Sequence, residues 1–528
     1  DYYVGEFNDK GQRHGQGTYY WTNGNKYEGQ WENGNRTGQG TFTWTNGDKY
    51  EGQWENGNRT GQGTYYWISG AKYEGQWENG NRTGQGKMTY VGGRIYEGIW
   101  KDDKRNGQGK YSFKDGSTFT CEWKDDNPAD EKSYFLLYYK AWYFWKDETG
   151  KIDAKDYSSA EDMFARTKYA QDNISHIENI ATGSTTQFFE GKELGYGFGM
   201  RRDATNNLRV AYVHGNSPGG INGLKRGWRI THIDGGDVAA MTNIPGNTTD
   251  REGLTRSFTV TDENGSSKVI FLTSSIYNIQ TVLHNSVIQR NQKSVGYLAL
   301  KSFISQTPDA LLSAASSLAG SGISELVLDL RYCSGGSYSV LNNIVNIIAP
   351  NSINNTAYLK RSYNSDRAAD NDTAYVIRKT GALNLSRIFV ITSPATENLP
   401  EYLICGLSPH INVIKTGDKT AGSGYGESYW TFGQKRHYAV TNKISNTLNE
   451  SPLNGISPDY FAADGVDNPW GDESEPCLSM ALFYMETGNF PSQVVSQTKS
   501  APIQIEQIGE PASPVLSEPL KENRSFDF

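Results

Sequence analysis

The sequence predicts a multidomain protein: an all-β hairpin array, a small helical unit, a β-rich unit and an α/β core. Three observations predict it. At 528 residues the chain exceeds what one hydrophobic core holds. A pattern of aromatic residues and glycine recurs every 23 residues before residue 126. Helical and strand patterns then alternate over residues 294–480.

Residues 1–126 hold 25 of the 58 glycines and 8 of the 13 tryptophans, a composition unlike the rest of the chain. The cause is a repeat. Tyr27-Glu28-Gly29-Gln30-Trp31 recurs from Tyr50, from Tyr73 and, more loosely, from Tyr96. An outlying copy opens at Tyr3, and Phe119-Thr120-Cys121-Glu122-Trp123 is a decayed last one. Tyr27, Gly29 and Trp31 alternate with Glu28 and Gln30, the period of a strand with one covered face. Thr41 to Trp44 supplies a second strand, and Asn46-Gly47 a tight turn into the next copy. Asn23-Gly24 and Asp115-Gly116 do the same elsewhere. Glycine between Tyr and Trp is expected to leave room for an aromatic ring from the adjacent unit. A lone hairpin cannot bury its apolar face, so stacked copies should form an elongated sheet. This pattern resembles MORN repeats. The resemblance implies a scaffold over residues 1–126 that engages a protein or lipid partner. Glu28, Glu32 and Arg36 mix the charges of one repeat, which weakens an electrostatic case for anionic lipid.

Over residues 127–190 a helical unit is expected. Tyr134, Leu137, Tyr138, Trp142 and Trp145 step at i, i+3 and i+4, and residues 156–162 offer a cap and a second helix start. Strand patterns follow over residues 191–275. There "SPGGINGLKRGWRITHIDG" resembles part of a PDZ domain, with Trp228 where that family usually carries Asp. The resemblance implies that a polypeptide or protein C-terminus adds as a strand, its carboxylate held by the loop of Gly195, Tyr196, Gly197 and Phe198. The alternative is that these glycines only make a tight bend.

Residues 276–485 read as the α/β core. Ser294 to Leu300, Leu326 to Leu330 and Ile388 to Ile391 are strand patterns, and Asp309 to Leu318 is helical. The strings "VGYLALKSF", "LVLDLRYCSGG", "IFVITS", "GLSPHINVIKTGDKT" and "NGISPDY" come in the order of the C-terminal-processing (tail-specific) serine peptidases. The resemblance implies a crotonase-like peptidase core in which a serine attacks the peptide carbonyl and a desolvated lysine is its base. Aligned on the flanking strings, the nucleophile position holds Asn398 and the lysine position Ser423. A carboxamide has no acidic O–H to give up, and a hydroxyl is too weak a base to replace lysine. Asn398 reads instead as a helix N-cap with Glu401 completing a capping box. The family's oxyanion donors map to the backbone of Gly335, Gly336 and Leu399, with Cys333 and Ser334 replacing its Asn and first Gly. Its glutamine maps to Glu427, an unexpected negative charge. Asp329 and Arg331 are expected to pair and hold the loop. The chain is thus expected to be a peptide-binding pseudopeptidase. The competing reading is an active serine peptidase using a displaced Ser393 and Lys419 pair. A third assigns the function to the repeats as a membrane or partner tether.

Composition excludes other classes. With 51 Lys+Arg against 59 Asp+Glu the net charge is −8, so no nucleic acid partner is expected. No stretch of 18 apolar residues occurs, and the chain opens at Asp1 without a charged-then-apolar leader, as a trimmed product would. Cys121, Cys333, Cys405 and Cys477 lie far apart with no C-x-x-C pair, so isolated buried thiols are expected rather than a zinc site. None of the seven histidines sits in a recognisable motif. No cofactor is expected. The peptidase resemblance implies an extracytoplasmic place, in the periplasm or cell envelope. The end of the chain, residues 486–528, is rich in Ser, Pro, Gln and Glu and is expected to wrap the surface or to be mobile.

Overall fold

Asn33 and Gly34 both take positive φ, 49° and 85°, and so form the two-residue turn that suits the twist of a hairpin. Asn56 with Gly57 and Asn79 with Gly80 repeat it. Asn23-Gly24 and Asn46-Gly47 lie in the wider loops between hairpins, closed by Trp21 N–H to Asn25 O and Trp44 N–H to Asp48 O. Each repeat thus holds two tight turns, a two-residue one at the ENGN string and a β-turn into the next copy, where Gly47 N–H donates to Trp44 O at 3.0 Å. In the computed structural model these hairpins run on without interruption. It describes residues 1–172, 174–180, 188, 190–241, 244–245, 251–371, 375–492 and 515–516. Twelve antiparallel strands, from Tyr2–Phe7 to Asn127–Pro128, pair in sequence order in one sheet.

Tyr27, Tyr50, Tyr73 and Tyr96 are fully buried in this sheet, and Trp31, Trp54, Trp77 and Trp100 nearly so. Tyr27 meets Trp31 of its own strand edge-on at 5.2 Å and Trp54 of the next repeat at 5.3 Å. Arg36 lies over the same Trp54 ring at 4.4 Å. The Trp54 indole N–H donates to Gly40 O at 3.1 Å. Each repeat thus completes the packing of its neighbour. The ring over each glycine comes from the same hairpin, not the adjacent one as expected: a Cβ on Gly63 would sit 2.2 Å from the Tyr50 hydroxyl. The decayed copy keeps the geometry, with Cys121 opposite Gly109 and Trp123 under Arg105 at 4.4 Å.

The helix Glu131–Trp142 follows, capped by Asp130, and ends before Trp145. The helix Ala160–Thr167 is capped by Ser159. These helices share one apolar cluster with the array and with Trp430 and Ala439 of the core. Lys140, buried, donates to Asp115 of the last array turn at 2.7 Å. The helical unit is therefore a wedge between array and core.

Residues 190–278 form a separate cluster around Phe198, Val210, Ile230, Phe258 and Leu272. Phe198–Arg202 is the edge strand of its sheet, followed by Leu208–Val213, Arg229–Ile233, Thr255–Thr261 and Ser267–Thr273. Trp228 packs in this cluster and donates its indole N–H to Glu263 at 2.6 Å.

The core sheet runs Val282–Arg290, Lys293–Leu300, Glu325–Asp329, Arg387–Thr392, Asn412–Gly417, Tyr460–Phe461, antiparallel at its first pair and parallel after it. Near-continuous apolar strands need both faces covered. Helices Thr307–Gly320, Tyr338–Ile348 and Leu399–Leu407 cover one face, and Pro476–Thr487 the other. All four cysteines are free and buried. Of residues 486–528, the described part beyond residue 492 is the strand Val515–Leu516, which pairs in parallel with Gly336–Ser337. The rest of that segment lies outside the described residues. No described helix is long and apolar enough to cross a membrane.

Gly63→Ala tests the close packing of the array. The methyl cannot be accommodated without moving Tyr50, so a loss of about 1–3 kcal/mol is expected in thermal or denaturant unfolding. A change below about 0.5 kcal/mol overturns this account of the glycines.

Candidate active site

The strand Arg387–Thr392 ends at a turn that leads into the helix Leu399–Leu407. Asn398 opens this helix at φ 65°, ψ −115°, a conformation costly for a residue with a Cβ. It is held there from two sides. Its amide donates to Glu401 Oε2 at 2.9 Å, the capping-box contact. Its side-chain Oδ1 accepts the Ser423 hydroxyl at 2.5 Å. The two positions at which the peptidase pattern places a nucleophile and its base are therefore in direct contact, and they carry an amide and an alcohol. Tyr402, one turn along the helix, adds its hydroxyl 3.1 Å from Ser423 Oγ and donates to Tyr425 O. Tyr402 was not singled out in the sequence, although its i+4 spacing from Asn398 places it on the same helix face.

Glu401 is fully buried. Its Oε1 accepts the Thr420 hydroxyl at 2.5 Å and the Gly422 amide at 2.8 Å. Burial nevertheless pushes its pKa up to about 7. Burial also raises Glu397 beside it.

The turn to which the resemblance assigns the oxyanion donors lies beside this helix start. Glu397 N–H donates to Cys333 O at 3.2 Å, and Ser334 and Glu397 form a parallel bridge, so the turn abuts the start of the helix that carries Leu399. Gly335 and Gly336 both have positive φ. A Cβ on Gly336 would stand 2.1 Å from Phe303 O, so only glycine brings the backbone this close. The loop is tied down by Arg331, fully buried, whose guanidinium meets Asp329 at 2.7 Å, Asp464 at 2.8 Å and Glu475 at 2.7 Å.

Ser393 and Lys419 lie near one another, since Asp418 N–H donates to Thr392 O at 2.9 Å, but their side chains make separate contacts. The Ser393 hydroxyl donates to Arg331 O and accepts the Ala395 amide at 3.1 Å. Lys419 is exposed, and no hydrogen bond or ion pair joins it to Ser393. Ser393 fastens the strand end to the oxyanion loop.

The loop of Gly195, Tyr196, Gly197 and Phe198 is heavily bonded within its own unit. Tyr196 O accepts the Gly219 amide at 2.8 Å, and Gly197 O accepts the His214 amide and the Ser217 hydroxyl. Phe198, Met200 and Arg201 of the edge strand are buried, and Arg201 lies over the Tyr332 ring of the oxyanion loop at 5.4 Å. Arg226 donates to Tyr332 OH at 3.0 Å and stacks on Trp470 at 4.0 Å. This unit is thereby fastened to the core at the residues next to the oxyanion turn.

On the array, a groove of about 1040 Å³ runs across the strands over a floor of paired glycines, with Glu28, Glu51, Glu74 and Glu97 along it. Lys26, Lys49, Lys72 and Lys87 pair with these four acids at 2.7–2.8 Å, which offsets their charge. Among the described residues no group of His, Cys, Asp and Glu is arranged to hold a metal ion.

Glu427 corrects the charge expected from the sequence. It is 6% exposed, and its Oε1 has no hydrogen-bond partner. Burial raises its pKa well above that of an ordinary carboxyl, with Asp172 adding to the shift. The folded state then holds a proton that the unfolded chain has released, so this residue lowers stability as pH rises above about 4.5. Glu427→Gln is therefore expected to raise the Tm more at pH 8 than at pH 4. An equal shift at both values overturns the upward shift of this carboxyl.

The model of peptidase family S41 matches residues 294–461, and that of the MORN repeat matches residues 3–26, 27–49, 50–72, 73–93 and 96–118. The decayed copy at Phe119 falls outside the last of these matches. Among solved structures, a protein of Bacteroides fragilis assigned to the S41 proteases shares the fold, with a TM-score of 0.54 and 22% identity over 70% of this chain and 100% of that one. The photosystem II D1 C-terminal processing protease is similar at a TM-score of 0.44 and 16% identity, over 66% of this chain and 99% of that one. A comparison with curated proteins found no match. The chain carries a peptidase family S41 domain behind an array of MORN repeats.

Proposed function

We propose that this S41 domain binds extended polypeptide without cleaving it. The observation that carries the reading is the 2.5 Å hydrogen bond from Ser423 to Asn398 Oδ1. Covalent catalysis needs an activated nucleophile and a base to take its proton. Here the nucleophile position offers a carboxamide and the base position an alcohol whose proton is already donated to that carboxamide. Backbone donors of the oxyanion turn do not depend on side-chain identity, so a peptide carbonyl or carboxylate can still be held there. A PDZ-like role for residues 191–275 fits the same reading, with Gly195, Tyr196, Gly197 and Phe198 as the carboxylate loop. The array then serves as an arm that engages a protein partner. An extracytoplasmic location accords with the relatives' place of action.

Two measurements test it. Hydrolysis of unfolded casein by the purified chain is expected to equal that of Ser393→Ala. Turnover by the native chain that Ser393→Ala abolishes would return the displaced pair and end the pseudopeptidase reading. A fluorophosphonate probe is expected to leave the native chain unlabelled and to label an N398S/S423K variant, because that pair restores a hydroxyl beside an amine at the strained helix start. Labelling of the native chain at this cleft contradicts the proposal.

A further inference from the structure

We propose that the polypeptide held at the oxyanion turn is a segment of this chain itself: the Val515–Leu516 strand, bound in cis as a parallel strand on Gly336–Ser337. The inference rests on the peptide-binding reading and names its ligand. Gly336 pairs with Val515 and Ser337 with Leu516 in register. The same short strand lies alongside Tyr425–Phe432, the strand that carries Glu427. It therefore lies between Gly336–Ser337 and the Tyr425–Phe432 strand.

The chemistry of the segment suits a detachable ligand. Strand addition draws its affinity from main-chain hydrogen bonds, which Gly336 and Ser337 supply. Val515 and Leu516 are β-compatible and are preceded by Pro514 and followed by Pro519. Pro514 biases the residue before it toward extended backbone, and a proline has no amide to extend a ladder. The pairing is thus held to a few residues, short enough to open. Covalent attachment offsets that weakness, because a tethered segment acts at an effective concentration on the order of millimolar. An external peptide must displace it.

The experiment compares the full-length native chain with a full-length V515P/L516P variant, which removes both strand amides without touching the folded core. The probe is a fluorescein-labelled peptide of residues 509–521, read by anisotropy, with the peptide carrying the same two prolines as control. The variant is expected to bind the native-sequence peptide at least about ten-fold tighter than the native chain does. The control peptide is expected not to bind. In the same variant the Gly336 amide is expected to exchange faster with deuterium, whereas that of Ser337, donated to Phe303 O at 3.0 Å, is expected to stay protected. Equal affinity of both chains for the peptide overturns the proposal. Reduced, carboxymethylated lactalbumin separates the two readings. If the variant binds it while the peptide binds both chains equally, cis occupancy fails and peptide binding stands. If the variant binds neither, both fail.

Discussion

A fully buried arginine holds the functional half of this molecule together. Arg331 leaves the end of the Glu325–Asp329 strand and meets Asp329, Asp464 and Glu475 at once. Burying a guanidinium costs several kcal/mol unless its charge and donors are satisfied, and three carboxylates satisfy it here. Glu475 in turn caps the Pro476–Thr487 helix by accepting the Leu478 amide. The backbone oxygen of Arg331 accepts the Ser393 hydroxyl. The next residue, Tyr332, takes Arg226 from the preceding unit. One charged centre thereby sets the oxyanion loop, the strand end before Asn398, a covering helix and a domain contact.

That rigid setting explains what the site has kept and what it has lost. Asn398 retains a strained, left-handed backbone at the start of its helix, which an ordinary N-cap does not need. The Glu401 carboxylate, Gly336 and the Ser334–Glu397 bridge keep the surrounding frame. At the two positions that the peptidase pattern gives to nucleophile and base, the Ser423 hydroxyl donates to Asn398 Oδ1.

The array and the core are not independent appendages. The helix Glu131–Trp142 packs Tyr138 on Trp430 and Tyr134 on Phe432. Both partners lie on Tyr425–Phe432, the strand that also carries Glu427. Movement of the array against the core would be felt on a strand that borders the site.

The sequence by itself determined the periodic part of this protein. A 23-residue repeat of Tyr, Gly and Trp can bury its apolar face only by stacking, so the sheet was legible before any coordinates. The alternation of apolar strands and helices gave the core, and the resemblance of its strings to the tail-specific peptidases marked Asn398 and Ser423 as partners. The Asn-Gly turns into the next copy stand where the sequence placed them, and the ENGN strings add a two-residue turn inside each hairpin. Tertiary structure alone decided the rest. It joined the helical unit to two neighbours, buried Glu427, bonded the Ser393 hydroxyl to Arg331 O, and laid Val515 and Leu516 on Gly336 and Ser337. Desolvation and long-range pairing depend on which surfaces meet in space, and a linear pattern of residues does not encode that directly.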